Sequence, residues 1–257
     1  MKKTILYLTF MTPVFGFCQE IPEIVTDRPD QTECTNTVPK GYFQMENGFT
    51  TVHSKNGDNV NLLPTSLWKI GINDKMELRM ITEPQTIRKS EEGEFALPPI
   101  YFGFKTKLIE AKGAIPNISF IAHLSIPQLS TDNLRENNFN PQFRFTMDNQ
   151  LSKRFSIGYN LGMTWDDQNP SPIFQYTCAL GYKITDRWKA YVELFGDKPQ
   201  DEVFQLATSG GIYFYLRPNI MFDVTGAYGL VNGSLDYYSA LGFSFLIPMK
   251  KKNGTVQ

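Results

Sequence analysis

The sequence predicts an all-β protein, an antiparallel transmembrane β-barrel of about twelve strands. Three observations carry this. Apolar and polar residues alternate with a period of two along most of the chain. Short turns and longer polar loops take turns in joining these segments. After the first 18 residues, no apolar run approaches the length of about 18 residues that a membrane helix needs. Successive side chains of a strand point to opposite faces, so a period of two marks a wall with one apolar side.

The opening of the chain differs from the rest. Lys2 and Lys3 precede an apolar stretch from Ile5 to Phe17, and Gly16 and Cys18 supply small residues before a cleavage point after Cys18. This is the layout of a signal peptide, too short to be a spanning helix. An acylated Cys18 is the rival reading, and the bulky Phe17 directly before it argues against that. The expected organisation is a signal peptide over 1–18, an N-terminal periplasmic or lumen-plugging segment over 19–40, an outer-membrane barrel over 41–247 and a periplasmic tail over 248–257. Export to the outer membrane of a Gram-negative bacterium is the expected destination.

Within the barrel region the alternation is strict. Phe155, Ile157, Tyr159, Leu161, Met163 and Trp165 interleave with Ser156, Gly158, Asn160, Gly162 and Thr164. A helix would scatter these aromatics around its circumference. The same pattern defines segments at 41–53, 60–72, 75–84, 97–108, 116–127, 139–149, 155–165, 172–184, 188–196, 203–216, 220–230 and 237–247. Short turns fall at 72–75, 149–154, 184–187 and 216–219. Longer loops fall at 53–59, 85–96, 128–138, 166–171 and 196–202. A membrane barrel with periplasmic turns and extracellular loops has this rhythm. The mean hydropathy of −0.29 does not weigh against it, because only every second strand residue would face lipid.

The two faces carry different chemistry. The apolar parity is rich in aromatics, with Phe43, Trp68, Phe155, Trp165, Trp188 and Tyr237 near strand ends. The polar parity supplies the candidate lumen-facing residues Glu46, Lys69, Glu77, Arg79, Lys105, Lys107, Arg144, Asp148, Lys183, Glu193 and Asp223. Both signs are present, so pairing across a lumen is chemically reasonable. Periodicity alone also fits a soluble sheet whose charged face meets water. The last strand favours the barrel: Leu241, Phe243, Phe245 and Ile247 alternate, with Gly242 three residues before Phe245. That spacing is similar to the terminal insertion signal of bacterial outer-membrane proteins, although Pro248 to Gln257 follow it here. Glycines on the polar parity, among them Gly48, Gly103, Gly158 and Gly242, read as packing and bending positions.

Composition excludes several functions. The net charge of −1 leaves no basic footprint for nucleic acid. Cys34 and Cys178, the cysteines beyond the signal, do not make a disulfide framework or a metal spacing. Two histidines, His53 and His123, are too few for a histidine-rich metal site. No nucleotide-binding or metalloprotease motif occurs, and no cofactor or catalytic residue is expected. His123 and Ser125 share a strand face, but about 7 Å of strand rise separates them, too far for direct activation. His53 reads as a solvated residue where a strand runs into a loop.

Before the first strand stands Thr26-Asp27-Arg28-Pro29-Asp30-Gln31-Thr32-Glu33, followed by Val38-Pro39-Lys40-Gly41-Tyr42-Phe43-Gln44-Met45-Glu46-Asn47-Gly48-Phe49. These stretches, with Leu63-Pro64-Thr65-Ser66-Leu67, Met76-Glu77-Leu78-Arg79-Met80 and Gly103-Phe104-Lys105, resemble the outer-membrane transporter family of the MetA-pathway of phenol degradation type. Cys34 stands where the resemblance leads one to expect serine. The resemblance implies a porin-like barrel, and its residues are matched mainly through about residue 80.

Asp27, Arg28 and Asp30 are the candidate plug. The expectation is that their segment folds into the barrel mouth and pairs with lumen residues such as Arg79 and Glu77; a surface turn is the alternative, since Pro and Asp are common there. The expected function is a channel or transporter for small molecules, hydrophobic or aromatic ones among them, with outer-membrane lipid as its surroundings. A non-transporting anchor, an outer-membrane hydrolase and a soluble periplasmic β domain are the other readings. The solute and the oligomeric state leave no mark in the sequence.

Overall fold

A computed structural model describes residues 21–57, 59–88, 93–165, 171–200 and 202–249. The expected signal peptide, the lysine-rich part of the tail and part of the 166–171 loop lie outside the described residues.

The strands run β1 (Tyr42–Ser54), β2 (Asn59–Asn73), β3 (Met76–Thr82), β4 (Gln85–Arg88), β5 (Gly93–Ala96), β6 (Ile100–Ile109), β7 (Asn117–Ile126), β8 (Pro141–Gln150), β9 (Phe155–Thr164), β10 (Ile173–Lys183), β11 (Trp188–Pro199), β12 (Leu206–Arg217), β13 (Ile220–Val231) and β14 (Leu235–Pro248). Twelve of them form the wall, each antiparallel to its chain neighbour. The sheet closes because β1 pairs with both β2 and β14. Closure leaves the twelve wall strands without an open edge, which is what lets strands cross a bilayer.

Burial along the strands is inverted relative to a soluble protein. On β13, Phe222, Val224, Tyr228 and Leu230 are exposed, while Met221, Asp223, Thr225 and Ala227 are buried. On β14, Leu241 and Phe243 are exposed while Ser244 is fully buried. The charged face is therefore enclosed and the apolar face points outward. Near the turn end of the barrel, Phe43 packs on Trp68, Phe155 on Tyr182 and Trp188 on Phe214. Towards the loop end, Phe143 meets Trp165 and His53 stacks on Tyr237. Two aromatic girdles at the strand ends match the two interfaces of a bilayer. His53, half-buried where β1 runs into its loop, joins the ring cluster at this end.

Prolines set several of the differences from the expected strand limits. The strand expected from 97 begins at Ile100, because Pro98 and Pro99 have no N–H for a ladder. The strand expected to reach 84 stops at Thr82, ahead of Pro84. Part of the expected 85–96 loop is the hairpin β4–β5. β4 pairs with Asn59–Leu62 of β2 and raises the wall at the loop end. The β13–β14 turn is built on Asn232 and Gly233, with φ of 53° and 41°, the left-handed pair that tight hairpins favour.

Candidate functional site

The interior is occupied by the chain that precedes β1. It enters at the turn end, where the Ile24 N–H donates to the Pro218 carbonyl. It leaves at the same end, where Ile24 and Val38 share an apolar cluster with Tyr215, Met221 and Leu246. Between these points it loops through the barrel. Pro39 passes so close to Gly71 that a Cβ there would lie 2.1 Å from the Pro39 carbonyl oxygen; only glycine permits that approach.

Asp27 is the central anchor. Its Oδ1 accepts from Lys105 Nζ at 2.7 Å, and its Oδ2 from Lys69 Nζ at 2.9 Å and Arg79 Nη1 at 3.1 Å. Burial pushes this carboxyl up, but Lys105, Lys69 and Arg79 outweigh burial and hold it well below the usual carboxylate range. Glu46, itself paired with Lys69, accepts the backbone N–H groups of Asp27 and Arg28 at 2.9 and 3.0 Å. Glu77 accepts the Val38 N–H at 2.6 Å. Glu33 takes Arg79 Nη2 at 2.6 Å and Arg144 Nη1 at 3.4 Å. Burial raises its carboxyl as well, and Arg79 leads the cations that lower it overall.

On the opposite wall, Glu193 accepts the Gln31 N–H at 3.0 Å and the Thr32 hydroxyl at 2.6 Å, and Asp148 pairs with Thr35. Arg28 Nη2 reaches Asp223 Oδ1 at 3.1 Å. Carboxylates outnumber cations in this network, and Asp30 bears the consequence. Burial, then the neighbouring Glu193 carboxylate, raise its pKa well above the ordinary value.

Of the lumen-facing candidates, Glu46, Lys69, Glu77, Arg79, Lys105, Arg144, Asp148, Glu193 and Asp223 touch this segment. Lys107 and Lys183 do not. Lys107 lies near the turn end, where its N–H donates to Lys75 O, and Lys183 pairs with the exposed Asp186 of the adjoining turn. The segment pairs with Arg79 through Asp27 and Glu33 and with Glu77 through the Val38 N–H, while Arg28 itself pairs with Asp223. Sequence reasoning missed Asn160, which exchanges hydrogen bonds with the Glu33 backbone at 2.7 and 3.0 Å. It also missed Ser119, whose hydroxyl donates to Thr35 O at 2.6 Å. Their only signal is a short polar side chain on the inward parity. Ser125 is engaged with Glu136 and the Asn140 N–H, at 3.1 and 2.8 Å.

Arg28 sits on two glycines. Gly48 of β1 lies directly across from Gly242 of β14. A Cβ at Gly48 would fall 1.9 Å from Arg28 Nη1, and one at Gly242 would fall 2.4 Å from Asp223 Oδ2 and 2.8 Å from Arg28 Nε. These clashes involve flexible side-chain ends, so a methyl group displaces the arginine rather than the wall. Gly48→Ala is therefore expected to leave detergent-resistant folding intact while loosening the segment, read as faster proteolytic cleavage near residue 28. Unchanged cleavage would show that Arg28 does not need the glycine floor.

The segment separates two chambers. The loop-side chamber, about 340 Å³, is lined by Arg28, Val52, Leu62, His123 and Gln142 among others; the turn-side chamber, about 690 Å³, by Thr26, Asp148, Arg154, Lys189 and Tyr213 among others. Asp30 and Glu33 line both. The wall itself is weakened beside the first chamber. The β1–β2 register slips between Gly48 and Thr50, where Pro64 has no N–H and the Leu63 N–H donates to Pro84 O. An outer hollow there, lined by Phe49, Leu63, Val224 and Leu241, shares Thr50, Leu62 and Ala240 with the inner chamber.

An enclosed ionic lumen within an outward apolar wall is shared by many barrels, and comparison narrows the choice. Residues 26–247 match the family described as "Putative MetA-pathway of phenol degradation". The chain belongs to this family. Comparison with curated protein sequences returns no match. Among solved structures, the chain is similar to an outer membrane channel from Pseudomonas putida F1, with a TM-score of 0.65 at 8% identity, covering 83% of this chain and 98% of that one. It is also similar to the NanC porin (0.54, 10%) and to the KdgM porin solved with oligogalacturonate (0.53, 7%), each covering 79% of this chain and 98% of the other. At these identities the likeness establishes the twelve-stranded barrel fold of this family member.

Proposed function

We propose that this protein is an outer-membrane channel for small molecules, without catalytic activity, whose lumen is held closed by the segment before β1. The single observation that carries this reading is the ionic lumen itself. Asp27, Arg28, Gln31, Glu33 and Thr35 are bound by side chains from β1, β2, β3, β6, β8, β11 and β13. A structural anchor could fill its interior with apolar side chains; a polar interior crossed by a removable segment suits a gated path. The turn end then faces the periplasm, following the usual placement of short turns.

Hydrophobic or aromatic solutes are the favoured cargo. The outer hollow at Phe49, Leu63 and Leu241 is mainly apolar, with Thr51, Asn61, Thr86 and Ser239 among its lining, lies on the outward face and shares residues with the loop-side chamber. A solute that partitions into the bilayer would reach the interior there without crossing the charged network. The family's description, which names phenol degradation, points the same way.

Two measurements test the reading. In planar bilayers, Arg28→Ala should raise single-channel conductance several-fold, because truncation frees the segment from Asp223 and the glycine floor. In liposomes, the protein should accelerate phenol uptake over protein-free controls. A barrel that passes no phenol, and conducts equally with and without Arg28, would be the anchor instead.

A further inference from the structure

The place that holds Arg28 has the features of a binding site in its own right. Gly48 and Gly242 form a flat floor across the seam that closes the barrel. Asp223, whose side chain is fully buried, supplies the anion at its side. Floor and anion suit a planar, delocalised cation, which can lie flat and donate two parallel hydrogen bonds to a carboxylate.

Arg28 fills this site incompletely. Only Asp223 Oδ1 is bonded; Oδ2 is buried without a partner, and so is Arg28 Nε. The Arg28 backbone is fixed by Glu46, and from that position the guanidinium presents one donor to Asp223. A free guanidinium has no such restraint. Arg28, which covers the seat, itself lines the loop-side chamber, so the seat opens to that chamber when Arg28 is displaced or truncated.

We propose that the Gly48–Gly242–Asp223 seat is a guanidinium-binding site, and that a small guanidinium compound arriving through the loop-side chamber competes with Arg28 for it. The seat would then be both the latch of the closed state and the point at which a ligand releases it. That second half rests on the reading of the segment as the closure; the binding site itself does not.

The test uses ethylguanidinium as ligand and ethylammonium as the control of equal charge. Isothermal titration of the purified Arg28→Ala protein in detergent should give saturable binding of ethylguanidinium in the millimolar range, about tenfold tighter than ethylammonium. Adding Gly48→Ala, or Gly242→Ala should the first not fold, should abolish the preference by filling the floor. Equal affinity for both cations, or binding indifferent to both glycine substitutions, would overturn the site. Wild-type conductance in planar bilayers should rise with ethylguanidinium and not with ethylammonium. If binding is selective but conductance does not respond, the seat stands and competition with the closure is refuted. If Arg28→Ala also conducts no more than wild type, it is the closure reading that has failed.

Discussion

Asp27→Asn is expected to have the largest effect of any single substitution in the lumen. The asparagine keeps the shape of the side chain but removes the charge that Lys69, Arg79 and Lys105 share. Those three ammonium and guanidinium groups are enclosed and nearly inaccessible. Removing one partner from such a cluster leaves uncompensated buried charge, which costs about 3–5 kcal/mol. The barrel wall has its own ladder of hydrogen bonds and does not depend on Asp27. The cost therefore falls on the docked segment, and the cations gain water if it withdraws. The expected result is a folded barrel with heat-modifiable gel mobility, a high conducting fraction, and a segment cut readily by protease between residues 21 and 40. Wild-type conductance and protection in the variant would mean that Glu46, Glu77 and Glu33 suffice to neutralise the cations, and that Asp27 is not the anchor.

The legibility of this molecule in its sequence divides along physical lines. The wall was readable because alternation is local: Phe222, Asp223 and Val224 announce their faces within three residues, whatever the rest of the chain does. What alternation cannot say is which face meets lipid, since a soluble sheet would show the same pattern. The aromatic ends and the final Leu241-Gly242-Phe243 stretch tilted that choice. Pairing inside the lumen was far less accessible. Asp27 meets Lys69, Arg79 and Lys105, which stand 42, 52 and 78 residues away, and Arg28 meets Asp223 at a separation of 195. Such contacts depend on where the segment lies in a closed ring, and no spacing rule encodes that. Gly48 and Gly242 illustrate the same gap. Each reads in sequence as a bend in its own strand, and their shared role emerges only because β14 returns to β1. The hairpin β4–β5 leaves no such mark, because strands of four residues are too short to establish a period.

The response to pH should run in two opposite directions, and Asp30 separates them. A carboxyl whose pKa is depressed by docking stabilises the docked segment above its ordinary value, and that contribution is lost as pH falls through the depressed one. Asp27 and Glu33 are of this kind, so the closure should resist mild acid and yield only well below roughly pH 4. Asp30 behaves inversely. Its pKa is raised in the docked state by burial and by Glu193, so docking favours its protonated form. That contribution is complete below its ordinary value and is lost progressively as pH rises towards the raised one. Across that window each pH unit shifts the docking equilibrium about tenfold towards release. Wild-type conductance should therefore climb as pH rises above the ordinary carboxylate range and level off once Asp30 has lost its proton. Asp30→Asn keeps an uncharged side chain of the same size at every pH. It should hold the channel closed through that range, flattening the rise while leaving opening in strong acid untouched. A variant whose pH profile superimposes on the wild type would show that Asp30 stays ionised beside Glu193, and that the excess of carboxylates in the lumen is balanced by other means.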